Sequence, residues 1–368
     1  ALDHLLTFNY LPDAMTIFEG ISKLMPGEYI VIQNGKTRFY KYWKLIDFVG
    51  TNIVSEHEII SNLDNLLEES IEMRLQSDVP IGAFLSGGID SSLVVAYISK
   101  IYKGIDTFSI GFSEKKYNEL PYAREVSTLF ATTHHEEIVN ADFFELLPKT
   151  IWLNDNPHGD VSFLPTFILS QMTAKYVKTV LTGDGGDELF AGYEKYLPYV
   201  SDSSMTEEDF YEKTSVFTKK EKAKLYSNKL RKLTKEDNCL DLINSLIAPL
   251  KDSCPDRLNR LLYLEIYLLL EGNNLVKPDR MGMGNSIEAR MPLLDYRIVE
   301  YIMGIAGKYK IKDGETKYIL KLLAEKKLPA NIVHRKKQMF TVPIGEWMRN
   351  ELKEVFYNIL LSKQAIER

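Results

Sequence analysis

Two rhythms of apolar residues alternate along the first half of the chain. Between residues 56 and 76 they fall at Ile59, Ile60, Leu63, Leu66, Leu67 and Ile71, the three-and-four spacing of a helix that buries one face. Residues 79–85, bounded by Pro80, form a short apolar run of strand length, and residues 105–112, 133–139 and 177–182 are the next strand candidates. The segment after Ser92, residues 118–132 and residues 162–175 return to helical patterning. Strands alternating with helices of this length predict a parallel sheet with crossover helices. Ligands of such sheets sit at the carboxyl ends of the strands.

From about Glu188 onward the pattern is almost wholly helical. Residues 257–275 are strongly apolar and predict a buried helix, while the Lys/Glu-rich span 205–237 reads as a solvated helical face. Residues 1–45 are rich in Tyr, Phe and β-branched residues. Within them 29–33 and 37–43 flank Asn34-Gly35, the pattern of a β-hairpin, and the whole module is too short to build a core of its own. Residues 46–55 read as a linker.

Composition narrows the class. At 368 residues with 45% hydrophobic and 26% charged positions, the chain fits two domains, or one large domain with a helical extension. A net charge of −6 argues against binding driven by nucleic-acid phosphates. Cys239 and Cys254 make no C-x-x-C pair, which points to a reducing cytoplasm. The histidines are scattered apart from His134-His135, so a zinc site is not expected. No apolar run approaches membrane-spanning length and no secretory signal is visible. The chain begins at Ala1 and reads as a fragment or a processed product.

The chemistry concentrates in two loops. Ser86-Gly87-Gly88-Ile89-Asp90-Ser91-Ser92 joins a strand to a helix, where free backbone N–H groups and the helix dipole suit a phosphate. Gly87 and Gly88 let the backbone approach an anion, and Ser86, Ser91 and Ser92 add hydroxyl donors. G-x-x-x-x-G-K-[ST] and G-x-G-x-x-G are both absent. Asp90 beside phosphate oxygens would repel them unless a divalent cation lay between, which implies Mg²⁺. A Ser/Asp-capped helix after a glycine turn accounts for the same residues without a ligand. Leu181-Thr-Gly-Asp-Gly-Gly-Asp-Glu188 also follows a strand, so both loops should open on one sheet edge. Asp184, Asp187 and Glu188 crowd there, and crowded carboxylates favour a metal; a Gly/Asp turn capped by Asp187 is the plainer account.

The first loop resembles the S-G-G-x-D-S-S pyrophosphate loop of the ATP pyrophosphatases that make acyl-adenylates, and in particular that of the glutamine-hydrolysing asparagine synthetases. The resemblance implies an α/β fold of the HUP-like ATP pyrophosphatase type: a parallel sheet with flanking helices, a mostly helical C-terminal part and a small N-terminal β segment. Residue by residue, it makes Leu85, Ser86, Gly87, Gly88, Asp90, Ser91, Ser92, Ile110, Thr182 and Gly183 contacts of ATP or pyrophosphate, and Asp90 with Asp187 the ligands of Mg²⁺. Asp184 stands where well-known members carry a Glu important for making the adenylate and handling protons. His334-Arg-Lys-Lys-Gln-Met-Phe340 resembles R-x-K-x-x-F, whose lysine neutralises the departing pyrophosphate, and Lys337 aligns with it; Lys317 is a weaker candidate for the same pocket. Lys277 to Asp295 resembles D-R-x-x-M-x-x-S-x-E-x-R-x-P-F-L-D. There Glu288 and Arg290 read as an ion pair holding a buried turn, and Arg280 is a candidate for a carboxylate substrate.

Thr16 to Leu24, Pro26-Gly27 and Tyr42-Trp43 are similar to the end of an N-terminal glutaminase domain. Residues 1–45 then form the remnant of that domain and 46–368 the synthetase domain. The glutaminase nucleophile of the family is an N-terminal cysteine, and Ala1 is not one. The implied reaction converts aspartate, ATP and ammonia to asparagine, AMP and pyrophosphate. Free ammonia would serve this chain, and a glutaminase domain would supply it in the full-length protein. The alternatives are an amidotransferase with another acceptor, of surface-polysaccharide or β-lactam type, and a non-catalytic ATP-binding module. The expected partners are a small carboxylate and ammonia, with no nucleic acid and no membrane; a homodimer is one assembly left open.

Overall fold

A computed structural model describes residues 1–234, 238–336 and 342–367. Its centre is a sheet of five parallel strands in the order β5-β4-β3-β6-β7, with β3 at Ile81–Phe84, β4 at Asp106–Phe112, β5 at Thr133–Val139, β6 at Thr179–Leu181 and β7 at Glu288–Arg290. The inner strands are covered on both faces, and β3, β4 and β6 are almost wholly buried, whereas the edge strand β5 is largely polar and partly exposed. Leu181 joins the cluster of the helices Glu56–Arg74 and Ile89–Ile101, whereas Val180 packs with Phe108, Met172 and Ile287 on the other face. Beyond Glu188 the described chain is helical except for β7.

Four strands lie where the apolar rhythm puts them. The fifth, β7, is three residues long with charged residues at two of them, too short to show a period of two. Glu288 and Arg290 do pair, at 2.9 Å, but along this edge strand rather than in a buried turn. Arg290 also donates to the carbonyls of Arg74 and Gln76. The helix expected after Ser92 starts at Ile89. Its first turn is polar and invisible to hydrophobic spacing, and Gly88, extended at φ −78° and ψ 159°, caps it. The apolar helix expected over 257–275 divides into an α-helix, Arg257–Glu265, and a π-wound stretch, Ile266–Asn274.

At the amino end, strands β1 (Glu28–Gln33) and β2 (Lys36–Lys41) form the expected antiparallel hairpin. Asn34 and Gly35 both have positive φ, 50° and 71°, as a type I′ turn requires. Residues 2–8 form a helix, Leu2–Phe8, too short to declare itself by period. Its Asp3 is buried against the helical region: Tyr226 donates its hydroxyl to Oδ1 at 2.5 Å, Lys222 Nζ lies 3.0 Å away and Cys239 Sγ donates to Oδ2 at 3.2 Å. Lys222 is thus a buried exception within the span expected to be a solvated face.

Burial alone would raise the Asp3 pKa, but the bonds from Tyr226, Lys222 and Cys239 outweigh it and hold the carboxyl below its ordinary value. A lowered folded-state pKa adds stability that is present above the unfolded carboxylate value of about 3.9 and is lost as pH falls below that value through the lower folded-state one. Asp3→Asn is expected to cost about 3 kcal/mol at neutral pH. Urea melts at pH 7 and pH 3 check this, the gap between variant and native protein narrowing at the lower pH.

Candidate active site

Strands β3 and β6 are parallel neighbours, Ala83 opposite Leu181, so the loops that leave their carboxyl ends meet. A Cβ added to Gly183 would stand 2.6 Å from Ser91 N and 2.9 Å from Asp90 Cβ, and one at Gly186 would stand 2.4 Å from Asp90 Oδ1. Only glycine permits this approach. At Gly87, φ is +70° and a Cβ would meet the Tyr122 and Ala123 backbone at 2.6 Å, so the first loop is pressed onto the helix Leu120–Phe130.

Within the first loop, Ser91 Oγ lies 3.0 Å from Ser86 Oγ and accepts the Ser86 amide at 3.2 Å. Ser86 Oγ in turn accepts the Gly88 amide at 3.2 Å. Ser92 has no exposed surface and lies under the loop, not at its mouth. Leu85 and Ile110 line a small cavity of about 70 Å³ together with Phe84, Phe108, Tyr117 and Leu169.

Asp90 and Asp187 converge on one cation. Lys317 Nζ lies 2.5 Å from Asp90 Oδ2 and 2.7 Å from Asp187 Oδ1, and only 4% of the residue is exposed. Burial opposes the Lys317 charge, but the two carboxylates outweigh it and raise its pKa well above the ordinary lysine value. Lys317 stands at φ +56° just before the helix Tyr318–Ala324. A Cβ on Gly192 would stand 2.0 Å from Asp187 Oδ1 and 2.2 Å from Lys317 Cε, so that glycine seats the pair. Two carboxylates that share a cation at these distances form a hard-oxygen donor pair suited to Mg²⁺, which completes its shell with water and phosphate oxygens. Among the described residues no group of three or more His, Cys, Asp or Glu side chains is placed to hold a metal ion.

Asp184 lies beside these two. Burial raises its pKa, reinforced by Asp90 and Asp187, while a bond from Thr182 Oγ1 at 2.6 Å and the Lys277 charge pull the other way. Glu188 turns away from the loop mouth. Its Oε1 accepts from Tyr193 Oη and Asn274 Nδ2, both at 2.5 Å. Arg280, one of the expected contacts, is half-exposed and pairs with Asp155 at 2.9 Å. Lys337 lies outside the described residues. Its neighbour Arg335 pairs with Glu119, stacks 4.4 Å from the Tyr122 ring centroid and comes within 3.9 Å of a Cβ built on Gly88. Arg335 is the arginine of the R-x-K-x-x-F resemblance, but its pairing with Glu119 and its stacking on Tyr122 depend on long-range packing.

A family model described as "Asparagine synthase" matches residues 62–368. The chain is 28% identical over 397 residues to asparagine synthetase [glutamine-hydrolyzing] 1 of Bacillus subtilis (strain 168), covering 99% of this chain and 62% of that protein. It is 29% identical to a putative asparagine synthetase [glutamine-hydrolyzing] of Mycobacterium tuberculosis (strain ATCC 25618 / H37Rv), covering 99% of this chain and 61% of the relative. A putative asparagine synthetase [glutamine-hydrolyzing] 2 of Methanocaldococcus jannaschii is 39% identical over 54% of this chain and 39% of its own length. The chain thus spans about three fifths of the first two relatives.

Proposed function

The chain belongs to the asparagine synthase family, and from that premise we propose that it forms an amide through an acyl-adenylate, with aspartate as acceptor and ammonia as nitrogen donor. The observation that carries the reading is the convergence of Asp90 and Asp187 on one cation position, 2.5 and 2.7 Å from Lys317 Nζ, at the loop that borders the Leu85–Ile110 cavity. The purine lies against Leu85 and Ile110. The backbone N–H groups and hydroxyls of residues 86–91 receive the phosphates. Asp90 and Asp187 would hold Mg²⁺, which when bound would supply positive charge against the pyrophosphate oxygens.

The acceptor carboxylate attacks the α-phosphorus and pyrophosphate leaves. Ammonia then attacks the acyl carbon and AMP leaves. Lys337 aligns with the lysine expected to steady the departing pyrophosphate, and such stabilisation of developing charge is a large catalytic contribution. Asp184 binds Thr182 through Oδ2, and its Oδ1 takes the proton that the attacking ammonia must lose. Its raised pKa makes it a better base than an ordinary aspartate.

A pyrophosphate-release screen over carboxylic acids, with and without ammonium, tests the reading. The expected result is aspartate-dependent pyrophosphate, with asparagine formed only when ammonium is present. Pyrophosphate release with another acid but not with aspartate would favour a different acceptor. ATP binding without pyrophosphate from any acid would favour a module that only binds, and glutaminase activity from this chain alone would contradict ammonia as its own donor.

A further inference from the structure

We propose that Arg335 is a positioning residue for the nucleotide, a tie that fixes the phosphate loop relative to the cavity for the base. The inference rests on the reading in which the purine meets Leu85 and Ile110 and the phosphates meet residues 86–91. A ligand held at both ends gains affinity only when its two half-sites stand at the right separation. Here the half-sites belong to different elements. Leu85 follows β3 and Ile110 lies in β4, while the phosphate loop runs into the helix Ile89–Ile101, whose N-cap Gly88 has no side chain to brace it. Arg335 reaches both. Its guanidinium pairs with Glu119, which lines the base cavity beside Leu85 and Ile110. It also comes within 3.9 Å of a Cβ built on Gly88.

The elements around Arg335 hold it in place. Ile332 and Val333, just before it, are buried in the main core, and Asn331 Nδ2 donates to Glu125 Oε1 at 2.7 Å. Glu125 lies on the helix Leu120–Phe130, the one the phosphate loop is pressed against. Glu119 is the N-cap of that helix, yet its carboxylate makes no capping bond and turns to Arg335 instead. The Arg335 guanidinium lies over the Tyr122 ring, 4.4 Å from its centroid, and Tyr122 is the residue whose Cβ would stand 2.6 Å from one added to Gly87. One side chain therefore fastens the cavity wall, the start of the helix and the loop that rests on it. Only 11% of the Arg335 side chain and 12% of that of Glu119 are exposed, so solvent ions screen the pair weakly. A guanidinium offers Tyr122 a flat face and Glu119 a fixed fork, two features that a lysine lacks.

The test measures binding without turnover, by calorimetry with no acceptor acid present and with three probes: adenosine, pyrophosphate with Mg²⁺, and Mg-ATP. Arg335→Met is expected to weaken Mg-ATP about tenfold, while adenosine and pyrophosphate each stay within about twofold of native. Glu119→Met is expected to do the same, and the double variant to lose no more than about threefold beyond either, because both act through one tie. Arg335→Lys keeps the charge without the fork or the stacking face and is expected to resemble Arg335→Met. Unchanged Mg-ATP affinity in the folded single variants overturns the tie. A parallel loss of pyrophosphate affinity marks a direct phosphate contact, and a parallel loss of adenosine marks a merely structural role; either overturns it. If Arg335→Met does not fold, Glu119→Met decides alone. Native protein that binds Mg-ATP but releases pyrophosphate with no acid overturns the amide-forming reading and leaves the tie standing. Native protein that binds none of the three probes overturns both.

Discussion

Lys317→Met is expected to unfold with about 3 kcal/mol less stability than the native protein in metal-free buffer, and to recover most of that loss in millimolar Mg²⁺ or Mn²⁺. The reason lies in what the lysine separates. Asp90 and Asp187 both come within 2.7 Å of its Nζ, and the residue is 4% exposed. Methionine fills the same volume without the charge, so the two carboxylates face each other across a low-dielectric gap. A divalent cation can take the place the ammonium held, which methionine cannot. Thermal melts with EDTA and with added metal separate the outcomes. A variant that melts as the native protein does under both conditions would show that the aspartates do not depend on a shared cation. A loss that metal leaves unrepaired would show that the lysine's contribution is packing.

Gly183→Ala is expected to lower pyrophosphate release at least about 100-fold, the scale on which a misplacement of about 1 Å acts at a reacting centre. The new Cβ would lie 2.6 Å from Ser91 N and 2.8 Å from Asp90 C. These are backbone atoms, so no flexible side-chain end can move aside, and the loops after β3 and β6 must part. The Asp90–Lys317–Asp187 bridge opens with them. Stability is expected to fall by only about 1–3 kcal/mol, as for other overpacked sites. Circular dichroism and pyrophosphate assays on the same sample check both parts. Activity within about tenfold of native would mean that contact between the two loops does not set the geometry.

Much of this arrangement can be read from the chain before any coordinates. Strands β3, β4 and β6 carry the apolar runs that a doubly covered sheet demands, and glycine clusters after β3 and β6 mark where backbone must approach backbone. The meeting of Asp90 with Asp187 follows from those two facts. What escapes is whatever distant packing decides. The resemblance offers Lys317 as a weaker candidate for the phosphate pocket, but its place between the two aspartates, 227 positions after Asp90, leaves no local mark. Arg280 carries the fork that suits a carboxylate, yet helical winding turns it outward to Asp155. Lys277, one turn earlier, points inward to Asp160. Glu188 looks like a third acidic ligand in the string, but Tyr193 and Asn274 draw it away. Lys222 reads as solvated because its partners, Asp3 and Thr7, come from the opposite end of the chain.

The π-wound stretch Ile266–Asn274 makes the reach of the following helix a matter of register. A π-turn carries more residues per turn than the α-helix before it. Deleting one residue there would let the coil rewind at 3.6 per turn and swing everything beyond it through about 100°. Lys277 would leave Asp160 and Asn274 would leave Glu188, with no side chain in either pair altered. In this segment chain length itself decides which side chains meet.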